Sequence, residues 1–365
     1  MKAAICYQND QPVRVEEVSL DAPARDEVRV RIAACGVCHS DLSVISGLLR
    51  SKLPCVLGHE GAGIVEAVGE GVTHVARGDK VLLAWVVSCG RCFYCRMGKP
   101  HLCEVGEQIN KSNRMPDGST RVHQGGQDLW VFSAVGAMAE EVVVPASAAV
   151  KLPPDAPLDK SALLGCAVLT GVGAVFNTAQ VVPGSSVVVF GAGGVGLNAI
   201  QGASIAGAER IIAVDAQPAR LETARRLGAT DAIDATREDP VAAVRALTGG
   251  RGADYAIEAI GRTKTVEQAW ASVRKAGTIV VIGIGSVKET VAINALMLPM
   301  LEKRLLGCWY GSANVHVEIP RLLALYRRGK LKLDELITRT YPLSAVNQAF
   351  SDMTSGANAR GVIVF

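Results

Sequence analysis

Val187-Val188-Val189-Phe190-Gly191-Ala192-Gly193-Gly194-Val195-Gly196 is the stretch that decides the fold. Its apolar, mostly β-branched start reads as a buried strand, and the helix-like Leu197-Asn198-Ala199-Ile200-Gln201 follows directly. Between strand and helix the glycines permit a tight turn. They also let a pyrophosphate approach the backbone at a helix N-terminus, where free N–H groups and the helix dipole favour an anion. A bare G-x-G-x-x-G is a weak motif; strand before, helix after and an acidic residue downstream supply the context it requires. That acidic residue is Asp215, closing the next apolar run, Ile211-Ile212-Ala213-Val214. Its carboxylate can accept hydrogen bonds from both ribose hydroxyls of an adenosine and would repel a 2′-phosphate, so NAD is expected over NADP. The competing reading is a glycine-rich turn without a ligand.

Outward from this turn the same rhythm continues. Ala- and Leu-rich segments alternate with apolar runs at 187–190, 211–214 and 278–282, which implies a parallel sheet covered by helices. Upstream of Pro153-Pro154 the character differs. Glu27-Val28-Arg29-Val30-Arg31-Ile32 alternates polar and apolar residues as a half-buried strand does, and short apolar runs separated by Gly, Pro and Asp continue to about Val150. This part reads as an all-β, barrel-like unit. Past Trp309 the pattern loosens, and the closing Gly361-Val362-Ile363-Val364-Phe365 is strand-like, a segment expected to return to the first unit. The expected domains are 1–167, 168–309 and a returning 310–365. Residues 104–137, polar and weakly periodic, are expected to form a long functional or interface loop.

A chain of 365 residues suggests two domains, and 49% apolar against 20% charged residues is the balance of a globular protein. The net charge of +3 is spread without a basic block, which argues against nucleic acid or an anionic membrane as partner. Neither a charged leader with an apolar core nor a run of roughly 18 to 20 apolar residues is found, so a cytoplasmic protein is expected. In a reducing compartment the ten cysteines are then available for metals or chemistry rather than disulfides.

Four of them lie close together as Cys89-x-x-Cys92-x-x-Cys95-x7-Cys103. Such spacing lets tight turns bring the sulfurs onto one tetrahedral zinc at about 2.3 Å, and four thiolates leave no open position for substrate. A structural zinc is expected. Incidental free cysteines and an iron–sulfur cluster are the alternatives; the latter is disfavoured because Glu104 stands where the bacterial ferredoxin run has proline. A second set is dispersed: Cys38 in Gly36-Val37-Cys38-His39-Ser40-Asp41, His59 in Gly58-His59-Glu60, and Cys166 in Leu164-Gly165-Cys166. Taken singly, a lone cysteine is more often a small buried hydrophobe and a lone histidine a hydrogen-bonded structural residue. Spacing alone does not assemble them.

In this order and over essentially the whole chain, the three signals resemble the zinc-dependent medium-chain dehydrogenase/reductase family, specifically its alcohol dehydrogenases. The resemblance implies an α/β protein: an N-terminal GroES-like β-barrel catalytic domain plus a Rossmann, doubly wound parallel-sheet cofactor domain. It implies that Cys38, His59 and Cys166 meet and hold a catalytic zinc with one open position, the Cys2His ligation for which alcohol dehydrogenase is the standing example. With the four-cysteine cluster, that makes two zinc ions per chain. Ser40 matches the hydroxyl that takes the alcohol proton, and Asp41 and Glu60 match carboxylates beside the metal ligands. His39, Thr170, Arg220, Ile282 and Arg360 are placed with the glycine turn (Gly191, Gly193, Gly194, Val195, Gly196) and Asp215 as cofactor contacts. Trp85, Leu49 and Ile284 are the expected substrate-pocket walls, an apolar set suited to primary, allylic or aromatic alcohols. The competing reading for Arg220 and Arg360 is solvated charge, and for Trp85 core packing.

The implied reaction is reversible hydride transfer between an alcohol and NAD, with an alcohol or aldehyde as the small-molecule partner. A homodimer built by joining cofactor-domain sheets through 278–284 is expected, a tetramer being the alternative. One departure from liver-type members is Ser43, standing where a histidine completes the proton relay. The enzymatic rival is a glutathione-type formaldehyde dehydrogenase acting on a thiol adduct. That branch places a basic residue shortly after the last structural cysteine, whereas this chain has Glu104-Val105-Gly106-Glu107, with Lys111 and Arg114 farther on. A non-enzymatic protein retaining the fold is the other rival, and it would not need all three dispersed ligands.

Overall fold

The computed structural model describes residues 1–356 and 358–365. By internal contacts the chain divides into two compact units. The first comprises Met1–Cys166, Asn314–Leu325 and Leu333–Phe365; the second comprises Ala167–Ala313 and Tyr326–Lys332. The expected return of 310–365 to the first unit is thus incomplete: 310–313 and Tyr326–Lys332 group with the second. There Gln201 and Lys332 hold each other, Lys332 donating its backbone N–H to Gln201 Oε1 at 2.7 Å.

In the first unit a seven-stranded sheet runs in the order Ala149–Lys151, Lys80–Leu83, Glu60–Val68, Glu27–Gly36, Arg360–Val364, Ile337–Pro342, with Glu141–Pro145 also paired to Glu27–Gly36. The alternation read from the sequence is realised: Val28, Val30 and Ile32 are buried while Arg29 and Arg31 turn outward to pair with Glu141 and Glu66. Such a register places one face in the core and fixes the strand, because a one-residue slip would expose the whole apolar set. A second sheet runs Trp130–Val131, Cys55–Val56, Lys2–Cys6, Arg14–Glu17. The closing strand Arg360–Val364 pairs antiparallel with Glu27–Gly36, Val362 opposite Gly36.

The second unit is a six-stranded parallel sheet in the order Asp231–Asp234, Arg210–Asp215, Ser186–Phe190, Ala253–Glu258, Val273–Val281, Arg304–Gly307. Numbered along the chain this is 3-2-1-4-5-6, the doubly wound arrangement whose order reverses beside its first strand, Ser186–Phe190. Val187, Val188 and Val189 have no exposed surface, as expected of a strand covered on both faces.

Residues 104–137 are not a loop. They hold a helix at Glu104–Ser112 and short strands at Val122–Gln124, Gln127–Asp128 and Trp130–Val131. The helix carries one apolar i, i+4 pair, Val105 and Ile109, too little for a periodic signal, and its ion pair Glu107–Lys111 lies on the solvent side. A second correction concerns membrane-compatible runs. The helical stretch Leu158–Ala179 spans 22 residues and is apolar enough to cross a bilayer by length and composition, but 83% of its apolar window is buried within the protein. Its apolar surface is already covered by protein.

Candidate active site

Cys38, His59, Glu60 and Cys166 present one ligand atom each, and these atoms lie within 4.8 Å of one another. Three local structures bring them there. Cys38 caps the N-terminus of the helix His39–Ile45. His59 precedes the strand Glu60–Val68, reached through Gly58, whose N–H donates to Asp41 Oδ1 at 2.8 Å. Cys166 sits in a π-helical turn, Leu164–Val168, a widening of the helix that re-aims side chains and is frequent at functional positions.

The electrostatics of this cluster are those of a cation site. His59 Nδ1 lies 3.1 Å from Asp41 Oδ2, and His59 Nε2 is buried without a hydrogen-bond partner among the described residues. The Cys166 thiol, as hydrogen-bond donor, stabilises Cys38 as thiolate and holds its pKa well below the ordinary thiol value, while Cys166 itself is pushed up. Burial disfavours charge on His59, but Asp41 and Cys38 outweigh it and draw the ring toward its protonated form. A divalent cation at the same donors would take that proton's place, as metal ligation requires. Glu60 is fully buried and receives the Arg360 guanidinium; burial still raises its pKa to about 7, against the pull of Arg360. Arg360, expected among the cofactor contacts, thus has its partner inside this cluster.

Around the donors stand aromatic rings. His59 meets Trp85 edge-on at 5.9 Å and Phe132 at 5.3 Å between ring centroids. Phe132 was not picked out from the sequence; it lies 73 positions from His59, in a single 3₁₀ turn, Phe132–Ala134, and no local pattern points to it. Ser40 Oγ is 3.8 Å from Cys38 Sγ, and Leu49 packs against the core of the same unit.

The second cluster is formed by Cys89, Cys92, Cys95 and Cys103, again with all ligand atoms within 4.8 Å. Cys92 and Cys103 sulfurs are 3.9 Å apart, close to the roughly 3.8 Å edge of a tetrahedron with metal–sulfur bonds of about 2.3 Å, and all four are free thiols. Backbone N–H groups converge on the sulfurs: Cys89 N–H donates to Cys103 Sγ at 3.2 Å and Cys92 N–H to Cys89 Sγ at 3.3 Å. The N–H groups of Cys95 and Glu104 bring Cys92 down to about 6, while burial lifts Cys95 to about 12. Cys89 is also drawn down, by backbone N–H groups that outweigh its burial, while burial pushes Cys103 up, so two sulfurs lean toward thiolate and two are held as thiols until a cation binds.

In the second unit the turn after Ser186–Phe190 leads into the helix Gly194–Ile205 with Gly193 as its N-cap. Only glycine fits at 196, where a Cβ would stand 1.7 Å from Gly191 O. At Gly193 a Cβ would meet nothing within 4 Å, so the helix N-terminus opens onto free space of the kind a phosphate fills. Asp215 ends the neighbouring strand; its Oδ2 accepts from Ala192 N–H at 2.7 Å and its Oδ1 from Gln217 N–H at 2.9 Å. Arg220 lies 3.9 Å from the same carboxylate. The helix Leu169–Gly173 comes so close to the turn that a Cβ on Gly171 would be 2.3 Å from Val195 O, which places the buried Thr170 beside it. Ile282 donates its N–H to Glu258 O at 2.8 Å, and Ile284 is half exposed.

Residues 24–154 match the alcohol dehydrogenase GroES-like domain, and residues 194–328 match the zinc-binding dehydrogenase domain. Over 366 residues the chain is 40% identical to the NDMA-dependent alcohol dehydrogenase of Amycolatopsis methanolica, covering 100% of this chain and 98% of that one. The chain belongs to the zinc-dependent medium-chain dehydrogenase/reductase family, in its alcohol dehydrogenase branch. Among solved structures of alcohol dehydrogenases, benzyl alcohol dehydrogenase from Acinetobacter calcoaceticus is 34% identical with a TM-score of 0.95, covering 100% of this chain and 99% of that one. The family also extends to S-(hydroxymethyl)glutathione dehydrogenase of a Synechocystis species, 38% identical over 365 residues and covering 99% of each chain. As a member of the alcohol dehydrogenase branch, the protein is an oxidoreductase, and its two donor clusters suit a zinc-binding dehydrogenase: soft thiolates, one imidazole, and an orphaned buried nitrogen facing them.

Proposed function

We propose that the protein is a zinc- and NAD-dependent alcohol dehydrogenase that interconverts apolar primary, allylic or aromatic alcohols, and secondary ones, with their carbonyl compounds. The observation that carries this reading is the convergence of Cys38, His59 and Cys166 around the partnerless His59 Nε2. Those three side chains would hold a catalytic zinc, and the four-cysteine cluster a structural one. Zinc supplies Lewis acidity toward the substrate oxygen, and NAD supplies a hydride acceptor. Asp41 orients the His59 ring and fixes which nitrogen carries the proton. Ser40, beside Cys38, is placed to receive the alcohol proton; with Ser43 in the next turn, water or a ribose hydroxyl completes the route. Arg360 neutralises Glu60, keeping its carboxylate beside the thiols without an unpaired buried charge. The glycine turn binds the pyrophosphate and Asp215 the adenosine ribose, while Trp85 and Phe132 exclude water from the donors.

Activity should follow zinc. Metal-stripped protein is expected to lose alcohol-dependent NADH formation and regain it on zinc addition; full activity without metal would overturn the reading. NAD, NADP and NDMA belong in the same assay, because the Amycolatopsis relative is named for its NDMA dependence.

The Synechocystis relative supports a second reading, a thiol-adduct formaldehyde dehydrogenase. Lys52, Lys111, Arg114 and Trp130 line a surface cavity of about 650 Å³ that could receive a carboxylate. Two of its cations are already spent: Arg114 pairs with Asp128 at 3.0 Å and Lys111 with Glu107 at 2.5 Å. Formaldehyde rates with and without glutathione separate the two readings.

The proposal includes a cytoplasmic homodimer. Exposed apolar side chains at Val287, Val291, Leu296 and Met300, in the second unit, are the surface expected to be covered in it.

A further inference from the structure

Six of the ten cysteines belong to the two donor clusters; of the remaining Cys6, Cys35, Cys55 and Cys308, two face each other. Cys6 ends the strand Lys2–Cys6, Cys55 begins the strand Cys55–Val56, and the antiparallel register sets them directly opposite. Directly opposed residues of an antiparallel pair share one face of the sheet and have Cα atoms about 4.5 or 5.5 Å apart, and both spacings lie inside the range a disulfide spans. Both thiols are completely buried and free, each donating weakly to a nearby carbonyl, Cys6 to Gln8 O and Cys55 to Val56 O, both at 3.6 Å.

We propose that Cys6 and Cys55 are a redox-modifiable pair, closed into an intramolecular disulfide by a hydroperoxide and reopened by a thiol reductant. One thiolate attacks the peroxide oxygen, giving a sulfenic acid and releasing an alcohol or water. The second sulfur then displaces water from the sulfenic acid. In balance, two thiols and one hydroperoxide become one disulfide, one alcohol and one water, the peroxide taking up two electrons. Burial pushes both thiols up, Cys55 to about 12, so little of either is thiolate at neutral pH. The reaction is therefore slow and accelerates with pH. Closure ties the N-terminal strand to the segment that continues through Leu57 and Gly58 to His59, where Leu57 N–H already donates to Ala4 O at 3.1 Å.

The test uses the full-length, zinc-loaded protein exposed to hydrogen peroxide, then denatured in an alkylating agent and mapped by proteolysis and mass spectrometry. The expected product is a Cys6–Cys55 linked peptide, two fewer alkylatable thiols, and a melting temperature that rises and returns with dithiothreitol. Cys6→Ser should remove both the linked peptide and the melting shift. Recovery of Cys6 and Cys55 as alkylated thiols while other cysteines oxidise overturns the proposal, as does either one being found linked to a zinc-cluster cysteine. The mapping on the unsubstituted chain decides the matter even where a variant fails to fold.

Discussion

His59 presents Nδ1 to Asp41 Oδ2 at 3.1 Å, and Asp41 in turn is held by the Gly58 N–H at 2.8 Å, so the residue before the ligand fixes the carboxylate that orients the ligand. Both side chains are essentially without exposed surface. Replacing Asp41 by Asn keeps the shape and removes the charge. Loss of such a carboxylate behind a ligating histidine weakens metal binding by about 10- to 100-fold. Asp41→Asn is therefore expected to lose one zinc to a chelator that leaves the other in place, with activity falling in step. Metal analysis along a chelator titration reads this directly; unchanged retention of both ions counts against the role of Asp41.

The four-cysteine cluster predicts the opposite split. Cys95→Ser should lower the zinc content by one and the melting temperature by on the order of 5–10 °C. Catalysis by the molecules still folded should persist, because no open metal position is built there. Activity vanishing at temperatures where circular dichroism shows an intact fold would assign the cluster a chemical part.

Asp215 spends two acceptor positions on the Ala192 and Gln217 N–H groups and retains further lone pairs for ribose hydroxyls. Charge-assisted hydrogen bonds of this kind contribute about 1.5–3 kcal/mol, or about 10- to 100-fold in binding. Asp215→Asn should raise the KM for NAD by about that factor with little change in kcat, and should narrow the gap between NAD and NADP. A fall in kcat at saturating NAD, with KM unmoved, would contradict the assignment.

Much of this is legible in the sequence. The Val187 to Gly196 stretch named its own strand, turn and helix, because apolar β-branched residues and glycines in sequence leave few alternatives. The four clustered cysteines declared a metal site by spacing alone. Cys38, His59 and Cys166 come together in the sequence only through family resemblance, since Cys38 and His59 meet by the pairing of Glu27–Gly36 with Glu60–Val68 and Cys166 arrives on a π-helical turn about a hundred positions on. Contacts such as Arg360 with Glu60, 300 positions apart, and Phe132 with His59 left no local trace. The helix Glu104–Ser112 escaped for a different reason: with Val105 and Ile109 as its apolar pair, it is too short to show a period.

His123 bridges Asp21 and Asp128 at 2.9 Å each, and the Asp21 hydrogen bond, opposed by burial and aided by Asp128, raises its pKa above the ordinary histidine value. A raised histidine stabilises the fold fully below its unfolded pKa, about 6.5, and loses that contribution as pH climbs through the folded value. His123→Gln should therefore lower the melting temperature by about 1–2 °C near pH 6, with the difference from the unsubstituted chain fading as the solution becomes alkaline. A gap that widens with pH would show that the ring acts as a neutral acceptor.

Trp85 and Phe132 stand edge-on to His59 at 5.9 and 5.3 Å, which puts both rings against a proposed metal ligand. Edge-to-face aromatic contacts add about 0.5–1.5 kcal/mol beyond the area they bury, or about 2- to 10-fold in binding. An aromatic alcohol whose ring stacks against this wall should lose that factor in kcat/KM in Phe132→Ala or Trp85→Ala. The space released should raise kcat/KM for branched secondary alcohols, so the two substrate classes move in opposite directions. Zinc content measured beside the kinetics separates pocket from ligand effects, because a ring needed only to hold His59 would lower both rates together with the metal. Parallel loss for both substrates at full zinc occupancy would mean that neither ring touches the alcohol.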